Sequence, residues 1–260
     1  MKPKSLITVV AVTFVAGCAS AQSALFDFDN APVHTSLPLS LTVGGITARF
    51  SATGQGYSIQ PANTLGFTPA GFSGYCFYPN SIYAADLLIS FSQTMKDFSI
   101  LYAPEEYACD SSATMRVTAY LNGVSTGTAT TNAQPGTWPS ETLAITPAQG
   151  FNSVVVHYDA APVTGGDWGP VFMADNMVVT AAPPAIVLTG VTMLTNGVFS
   201  FGFTNLPGQS FSVLTTTNLS LKPLIWNLLG TATEVSPGQY LFTDYSATNR
   251  GQRFYRVRSP

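Results

Sequence analysis

The chain has 260 residues, a formal net charge of −3, 46% hydrophobic and 12% aromatic residues, and 9% charged residues, against about 25% charged in ordinary soluble domains. So few basic groups argue against nucleic acid as a partner, and so much apolar content argues against an intrinsically disordered chain. The length allows one large or two smaller hydrophobic cores.

At the N-terminus, Lys2 and Lys4 precede an apolar run from Leu6 to Gly17 that is too short to span a bilayer. Ala19-Ser20-Ala21 then places small residues where a signal peptidase reads, so residues 1–21 are expected to be a signal peptide. Val15-Ala16-Gly17-Cys18 offers a competing lipobox reading in which Cys18 is lipidated, although Val15 stands where Leu is preferred. Both readings place the mature chain outside the cytoplasm, and no later segment is long and apolar enough to serve as a transmembrane anchor. Export leaves Cys76 and Cys109, an even number for an oxidising compartment. One disulfide is expected between them, closing a loop of about 33 residues and contributing about 3.5 to 4 kcal/mol in the chain-entropy picture. The alternative, a two-thiol metal site, lacks a suitably spaced His.

Beyond the signal, short runs rich in Val, Ile, Thr, Phe and Tyr alternate with polar residues and are separated by Gly, Pro, Asn and Ser, which predicts an all-β protein. Predicted strands of the first part are Leu25 to Asp29, Leu41 to Ser51, Asp86 to Ser92, Phe98 to Tyr102, Thr114 to Leu121, Thr142 to Ile145, Asn152 to Tyr158 and Met173 to Thr180. Asn122-Gly123 predicts a two-residue hairpin turn, since both residues tolerate positive φ. About eight strands suit a sandwich. Ala181-Ala182-Pro183-Pro184 breaks the pattern, because paired prolines cannot donate to a ladder, and sets the domain boundary between 22–182 and 183–260. A second, shorter set follows: Ile186 to Leu188, Val198 to Phe203, Ser210 to Thr216, Trp226 to Leu229, Tyr240 to Thr243 and Arg253 to Val257. Charge divides at the same boundary. Residues 22–182 carry three basic residues against eleven carboxylates, a net −8, while 183–260 carry five basic and two acidic, a net +3. The basic C-terminal strand is read as a charged edge that resists aggregation, in preference to a docking surface.

Two segments carry a resemblance. Phe26-Asp27-Phe28-Asp29-Asn30, the run from Leu88 to Ile100, and Ala174-Asp175-Asn176-Met177-Val178-Val179-Thr180 resemble the exported bacterial β-sandwich domains common in PEP-CTERM proteins. Those domains are similar to galactose-binding-like jelly rolls, which implies a jelly-roll-type sandwich for 22–182. Arg256-Val257-Arg258-Ser259-Pro260 stands where that group carries its hydrophobic sorting tail. Ser210 to Leu219, Trp226 with Leu229-Gly230-Thr231, Phe242-Thr243-Asp244 and Arg253-Phe254-Tyr255-Arg256-Val257 resemble the immunoglobulin-like C-terminal module of many exported bacterial proteins. That likeness implies a presentation module, with Trp226 and Phe254 as core anchors.

Catalytic readings are weak. Gly71-Phe72-Ser73-Gly74-Tyr75 lacks the second glycine of a nucleophile elbow, and His34 and His157 are the only imidazoles. His157 lies in an alternating strand and reads as a rim or packed residue. Glu105-Glu106 is the obvious carboxylate pair for glycoside hydrolysis, but on a strand the two would face opposite sides, and a solvated turn before Cys109 is the preferred reading. Asp86 or Asp110 would have to converge on them by folding. Hard oxygen donors suit calcium, and Asp27, Asp29, Asp167 and Asp175 fall near the two ends of the first domain, so a structural calcium is a candidate that would staple its termini. Gly74 to Tyr83 places four aromatics around Cys76 in a Gly-, Pro- and Asn-containing stretch read as a loop. Aromatic faces stack on sugars, which makes Tyr75, Tyr78, Tyr107 and Trp168 the candidate border of a carbohydrate groove; the competing reading is a satellite core over the cysteine. The expectation is an exported, non-catalytic protein whose partner is a glycan or cell-surface polysaccharide. A polysaccharide-degrading enzyme and a purely structural envelope component are the alternatives.

Overall fold

The alternation of apolar and polar residues is realised as eighteen strands, with no α-helix among the described residues. The computed structural model describes residues 22–107, 112–163, 166–194, 197–247 and 252–259. The predicted signal peptide, Cys109 and Asp110 lie outside them. The chain divides into two compact units, Gln22–Ala182 and the residues from Pro183 onward.

The first unit contains β1 (Ser23–Phe26), β2 (Leu39–Val43), β3 (Ile46–Ala52), β4 (Tyr57–Pro61), β5 (Tyr75–Pro79), β6 (Leu87–Glu106), β7 (Thr114–Leu121), β8 (Val124–Asn132), β9 (Glu141–Ile145), β10 (Phe151–Ala160) and β11 (Asp167–Ala181). It is a jelly-roll-type β-sandwich with antiparallel pairing throughout. One layer runs β2-β3-β6-β10-β7-β8; the other contains β9, β6 and β11, with β1 and the β4–β5 hairpin on the far side of β11. The long strand β6 belongs to both. Its Leu87–Phe91 stretch pairs with β3, and its Met95–Glu106 stretch pairs with β11. Between them Met95 opposes Ala181 and Asp97 opposes Thr180, which leaves Lys96 as a bulge. An extra residue reverses side-chain parity. The buried positions accordingly change from Leu87, Ile89, Phe91 and Met95 to Phe98, Ile100 and Tyr102.

Side chains from the two layers meet in one core. Phe50 of β3 lies 6.0 Å from the Phe26 ring, 5.4 Å from Phe28 and 5.0 Å from Phe77, so rings carried by β1, β3 and β5 interlock. Burying each such ring contributes about 2 to 3 kcal/mol relative to leaving it exposed.

Several sequence expectations shift. Leu41 to Ser51 is two strands, because Gly44 and Gly45 adopt φ of 55° and 78° and turn the chain back. The strands predicted at 86–92 and 98–102 fall, apart from Asp86, in the single strand β6. Tyr75–Pro79, read as loop, is β5, and β4 and β8 join it as further strands.

The second unit contains β12 (Thr189–Met193), β13 (Phe199–Thr204), β14 (Ser212–Thr216), β15 (Asn227–Thr231), β16 (Thr233–Ser236), β17 (Gln239–Asp244) and β18 (Phe254–Arg258). Sheets β12-β13-β17-β16 and β15-β14-β18 form an immunoglobulin-like sandwich. Phe199, Phe201 and Phe203 of one sheet pack with Val213, Tyr255 and Val257 of the other and with Phe211 just ahead of β14, and the Phe199 and Tyr255 rings stack at 4.5 Å. Asp244 is buried beneath this core. Burial would raise its carboxyl, but donors from Ser246, Tyr255 and Arg253 more than offset this and hold it below its usual range. Phe254 is buried as expected, whereas Trp226 is only half-buried and stands outside the core, in the loop ahead of β15.

Candidate functional site

Exposed aromatics gather where the ends of β6 and β11 meet. Asp167 at the start of β11 opposes Glu106 at the end of β6, and the Tyr107 N–H donates to the Gly166 carbonyl at 3.0 Å. This pairing brings Tyr107 and Trp168, 61 positions apart, to one place with 64% and 55% of their surface open. The Trp168 orientation is fixed from beneath by Trp138, whose ring meets it edge to face at 5.9 Å. Trp138 is itself buried, and its backbone N–H donates to the Glu106 carbonyl at 2.9 Å from a left-handed conformation with φ of 51°. The exposed Phe67 ring lies 6.5 Å beyond Trp138. On the other side, Gly169 passes against the β5–β6 connection: a Cβ there would sit 2.2 Å from the Ile82 carbonyl, and Ile82 and Tyr83 are both exposed.

Of the four aromatics expected to border a groove, the structure unites Tyr107 and Trp168. Tyr75 and Tyr78 are half-buried strand residues. Tyr75 leans on the main core, and Tyr78 packs on a satellite cluster of Ala62, Phe72, Cys76, Ala103 and Met173. Cys76 is a buried free thiol, pushed up to about 12 by burial and by the Asp175 charge; its expected disulfide partner lies outside the described residues. Phe67 and Trp138 were missed by the sequence reading, while Ile82 and Tyr83 fell within the aromatic segment Gly74 to Tyr83 but were not named as border residues. A lone Trp in a Ser-, Thr- and Pro-rich connection is the one signal that could have drawn attention to Trp138.

Glu105 and Glu106 are not a solvated turn but the buried end of β6. Side-chain alternation sends them to opposite sides of the strand. Glu105 accepts from the Tyr78 hydroxyl, while its Oε1 has no partner. Burial raises its carboxyl above the usual range, the Tyr78 hydrogen bond opposing this. Glu106 Oε1 accepts from the Ala113 N–H at 2.6 Å and from Ser112 at 3.2 Å, and its Oε2 has no partner. Its carboxyl is also raised, first by burial and further by Asp167, against the two hydrogen bonds. Asp167 accepts from the Tyr158 hydroxyl at 3.1 Å. The Tyr102 hydroxyl, four residues earlier on β6 and so on the Glu106 side, is likewise buried without a partner.

The four aspartates expected to hold calcium separate. Asp167 belongs to the site just described, while Asp27, Asp29 and Asp175 meet where the first and last strands of the unit lie side by side. Tyr75 N–H donates to Asp29 Oδ1 at 2.8 Å, and Asp175 accepts from the N–H groups of Ser73 at 3.2 Å and Asn176 at 2.7 Å. Asp175 is fully buried and stands at about 7, raised by burial and then by Asp29 and Asp27, with its two hydrogen bonds opposing. Among the described residues no group of three or more His, Cys, Asp or Glu is arranged to hold a metal ion. His157 is a partly exposed rim residue whose Nδ1 lies 2.5 Å from Asp86, so Asp86 is committed away from the glutamates.

No protein-family model and no curated protein matches the chain. Among solved structures it is similar to the K1 cleaved adhesin domain of Lys-gingipain from Porphyromonas gingivalis W83, with 16% identity over 62% of this chain and 99% of that one, at a TM-score of 0.37. It is also similar to the enzymatically active domain of bacteriophage CBA120 tailspike protein 4, with 12% identity, 52% and 19% coverage, and a TM-score of 0.31. The glycoside hydrolase domain of Endo-D from Streptococcus pneumoniae R6 shows 9% identity, 91% and 43% coverage, and a TM-score of 0.31. Likenesses at this level carry nothing about activity.

Proposed function

We propose that the protein is an exported, non-catalytic glycan-binding protein whose first unit takes a sugar on Trp168. The observation that carries this reading is the pair of widely exposed rings, Tyr107 and Trp168, with Trp168 held edge-on by the buried Trp138. An indole so braced offers its face to the apolar side of a pyranose without losing rotamer freedom on binding. Glu105 and Glu106 face away from each other and so do not flank one glycosidic bond, which favours binding over an acid-pair hydrolase. No helix among the described residues is long and apolar enough to cross a membrane. The signal-like residues 1–21 are the basis for proposing export.

The test is a pull-down of residues 22–260 on insoluble polysaccharides together with a glycan array, comparing wild type with Trp168→Ala and Tyr107→Ala. The expected result is retention on at least one glycan, lost in Trp168→Ala while its urea unfolding curve stays that of wild type. Retention of no glycan by folded wild-type protein, or undiminished binding by Trp168→Ala, overturns the proposal.

A further inference from the structure

We propose that the second unit docks by one end on an anionic phospholipid bilayer, independently of any glycan taken by the first. That end is where β12 turns into β13, β14 leads into β15 and β17 passes to β18. Met193 pairs with Phe199 and Phe199 with Asp244 in one sheet, while Thr215 pairs with Asn227 and Thr216 with Phe254 in the other. The two sheets are tied together there, since the Tyr255 hydroxyl donates to Asp244 at 2.8 Å and the Tyr255 ring stacks on Phe199. All three connections therefore leave the sandwich at the same end.

These connections are apolar where solvated connections are ordinarily rich in Gly, Asn, Ser and Asp. From Thr217 to Leu228 every residue is exposed except the half-buried Trp226. Leu221, Leu224 and Ile225 lie in that stretch with Lys222 among them. Met193 and Leu194 are exposed at the end of β12, and Tyr245 is 78% exposed just beyond β17. The unit has two side-chain carboxylates, and neither is exposed at this end. Asp244 is buried against Arg253, and Glu234 accepts from the N–H groups of Gly208 at 3.0 Å and Gly238 at 2.7 Å at the opposite end. The chain also enters the unit at that opposite end, where Asn205 Nδ2 donates to the Pro184 carbonyl at 3.0 Å.

Aliphatic side chains carried on separate connections, with an indole and a phenol beside them, suit a bilayer surface. The aliphatic tips enter the acyl boundary while Trp and Tyr rings stay at the headgroup level. The net charge of +3 on residues 183–260, with Lys222 inside the apolar stretch, is drawn to anionic headgroups and opposes the pairing of two copies through this end.

The experiment is flotation of residues 22–260 with vesicles of equal parts phosphatidylglycerol and phosphatidylcholine, or of phosphatidylcholine alone, alongside size-exclusion chromatography of the vesicle-free protein. Wild type is expected to float with the anionic vesicles and less with the neutral ones. Leu224→Ser with Ile225→Ser is expected to lower partition by about tenfold or more, and Lys222→Glu by about fivefold at low salt. These side chains are exposed, so urea unfolding is expected to stay that of wild type. Val235→Ser, which removes an exposed aliphatic group near the opposite end, and Trp168→Ala are expected to float as wild type does. No flotation of folded wild type, equal flotation with both vesicle types, or a loss in Val235→Ser equal to that of the double substitution overturns the proposal. A dimer in vesicle-free solution that the double substitution dissociates assigns this end to a second copy and overturns it as well.

Discussion

Replacing Gly74 by Ala tests whether the segment joining Ser73 to Tyr75 is built around the Asp29 carboxylate. Gly74 has φ of +52°, which costs a residue with a Cβ about 1 to 2 kcal/mol. The new Cβ would also lie 1.8 Å from Asp29 Oδ1 and 2.4 Å from its Cγ, so the carboxylate must leave. Its departure breaks the 2.8 Å hydrogen bond from the Tyr75 N–H, a charge-assisted contact of about 1.5 to 3 kcal/mol. Together these give a loss of about 2.5 to 5 kcal/mol for Gly74→Ala. Gly66→Ala is the control, since Gly66 has φ of +75° and nothing within 4 Å, so only the backbone cost of about 1 to 2 kcal/mol applies. Urea unfolding followed by tryptophan fluorescence reads both, because Trp138 and Trp168 lie in the first unit. With Asp29→Ala already present, Gly74→Ala is expected to cost no more than the control, a coupling of about 2 kcal/mol in the double-mutant cycle. If Gly74→Ala costs the same as Gly66→Ala, or if its cost adds fully to that of Asp29→Ala, the reasoning is wrong.

Asp175 holds its proton to about pH 7 in the folded state and to about 3.8 when unfolded, so wild type loses stability as pH rises through that interval. In EDTA, Asp175→Asn is expected to gain on wild type steadily from pH 4.5 to 7.5 in urea titrations; parallel profiles would refute this. Arg253→Met leaves the buried Asp244 without its cation and is expected to destabilise the second unit by about 3 to 5 kcal/mol, measured by Trp226 fluorescence. Unchanged unfolding would mean that Tyr255 and Ser246 suffice. Cys76, buried and raised to about 12, is expected to ignore Ellman's reagent at pH 8 until urea unfolds the chain. Rapid native labelling would contradict its burial.

The fold class was legible because alternation survives wherever a strand has one wet face. The Asn122-Gly123 turn is one case: it joins β7 to β8 with both residues at positive φ. The Gly44-Gly45 turn escaped notice although the apolar alternation changes phase across it, from Leu41 and Val43 to Ile46, Ala48 and Phe50, because apolar residues flank the glycines closely on both sides. Tyr75–Pro79 was hidden by the Gly, Pro and Asn around it, which signal a loop even when the strand between them is buried. Glu105 and Glu106 misled for a thermodynamic reason: charges at a strand end are expected in water, and only the tertiary partners Tyr78, Ser112 and Ala113 make their burial tolerable. Tyr107 and Trp168 were picked out as candidates by residue type. Their juxtaposition depended on the pairing of β6 with β11, which no local pattern encodes, and Trp138 beneath them belongs to a connection with no periodicity at all.

The passage of β6 through both layers makes the main chain itself a tie between them. In a sandwich whose layers are joined only by loops, one sheet can peel away while the other keeps its ladder. Here peeling either layer drags on the same twenty-residue strand, so amide protons of Ile89 in one layer and Ile100 in the other are expected to exchange as one cooperative unit. Force applied across the Lys96 bulge would meet both ladders at once.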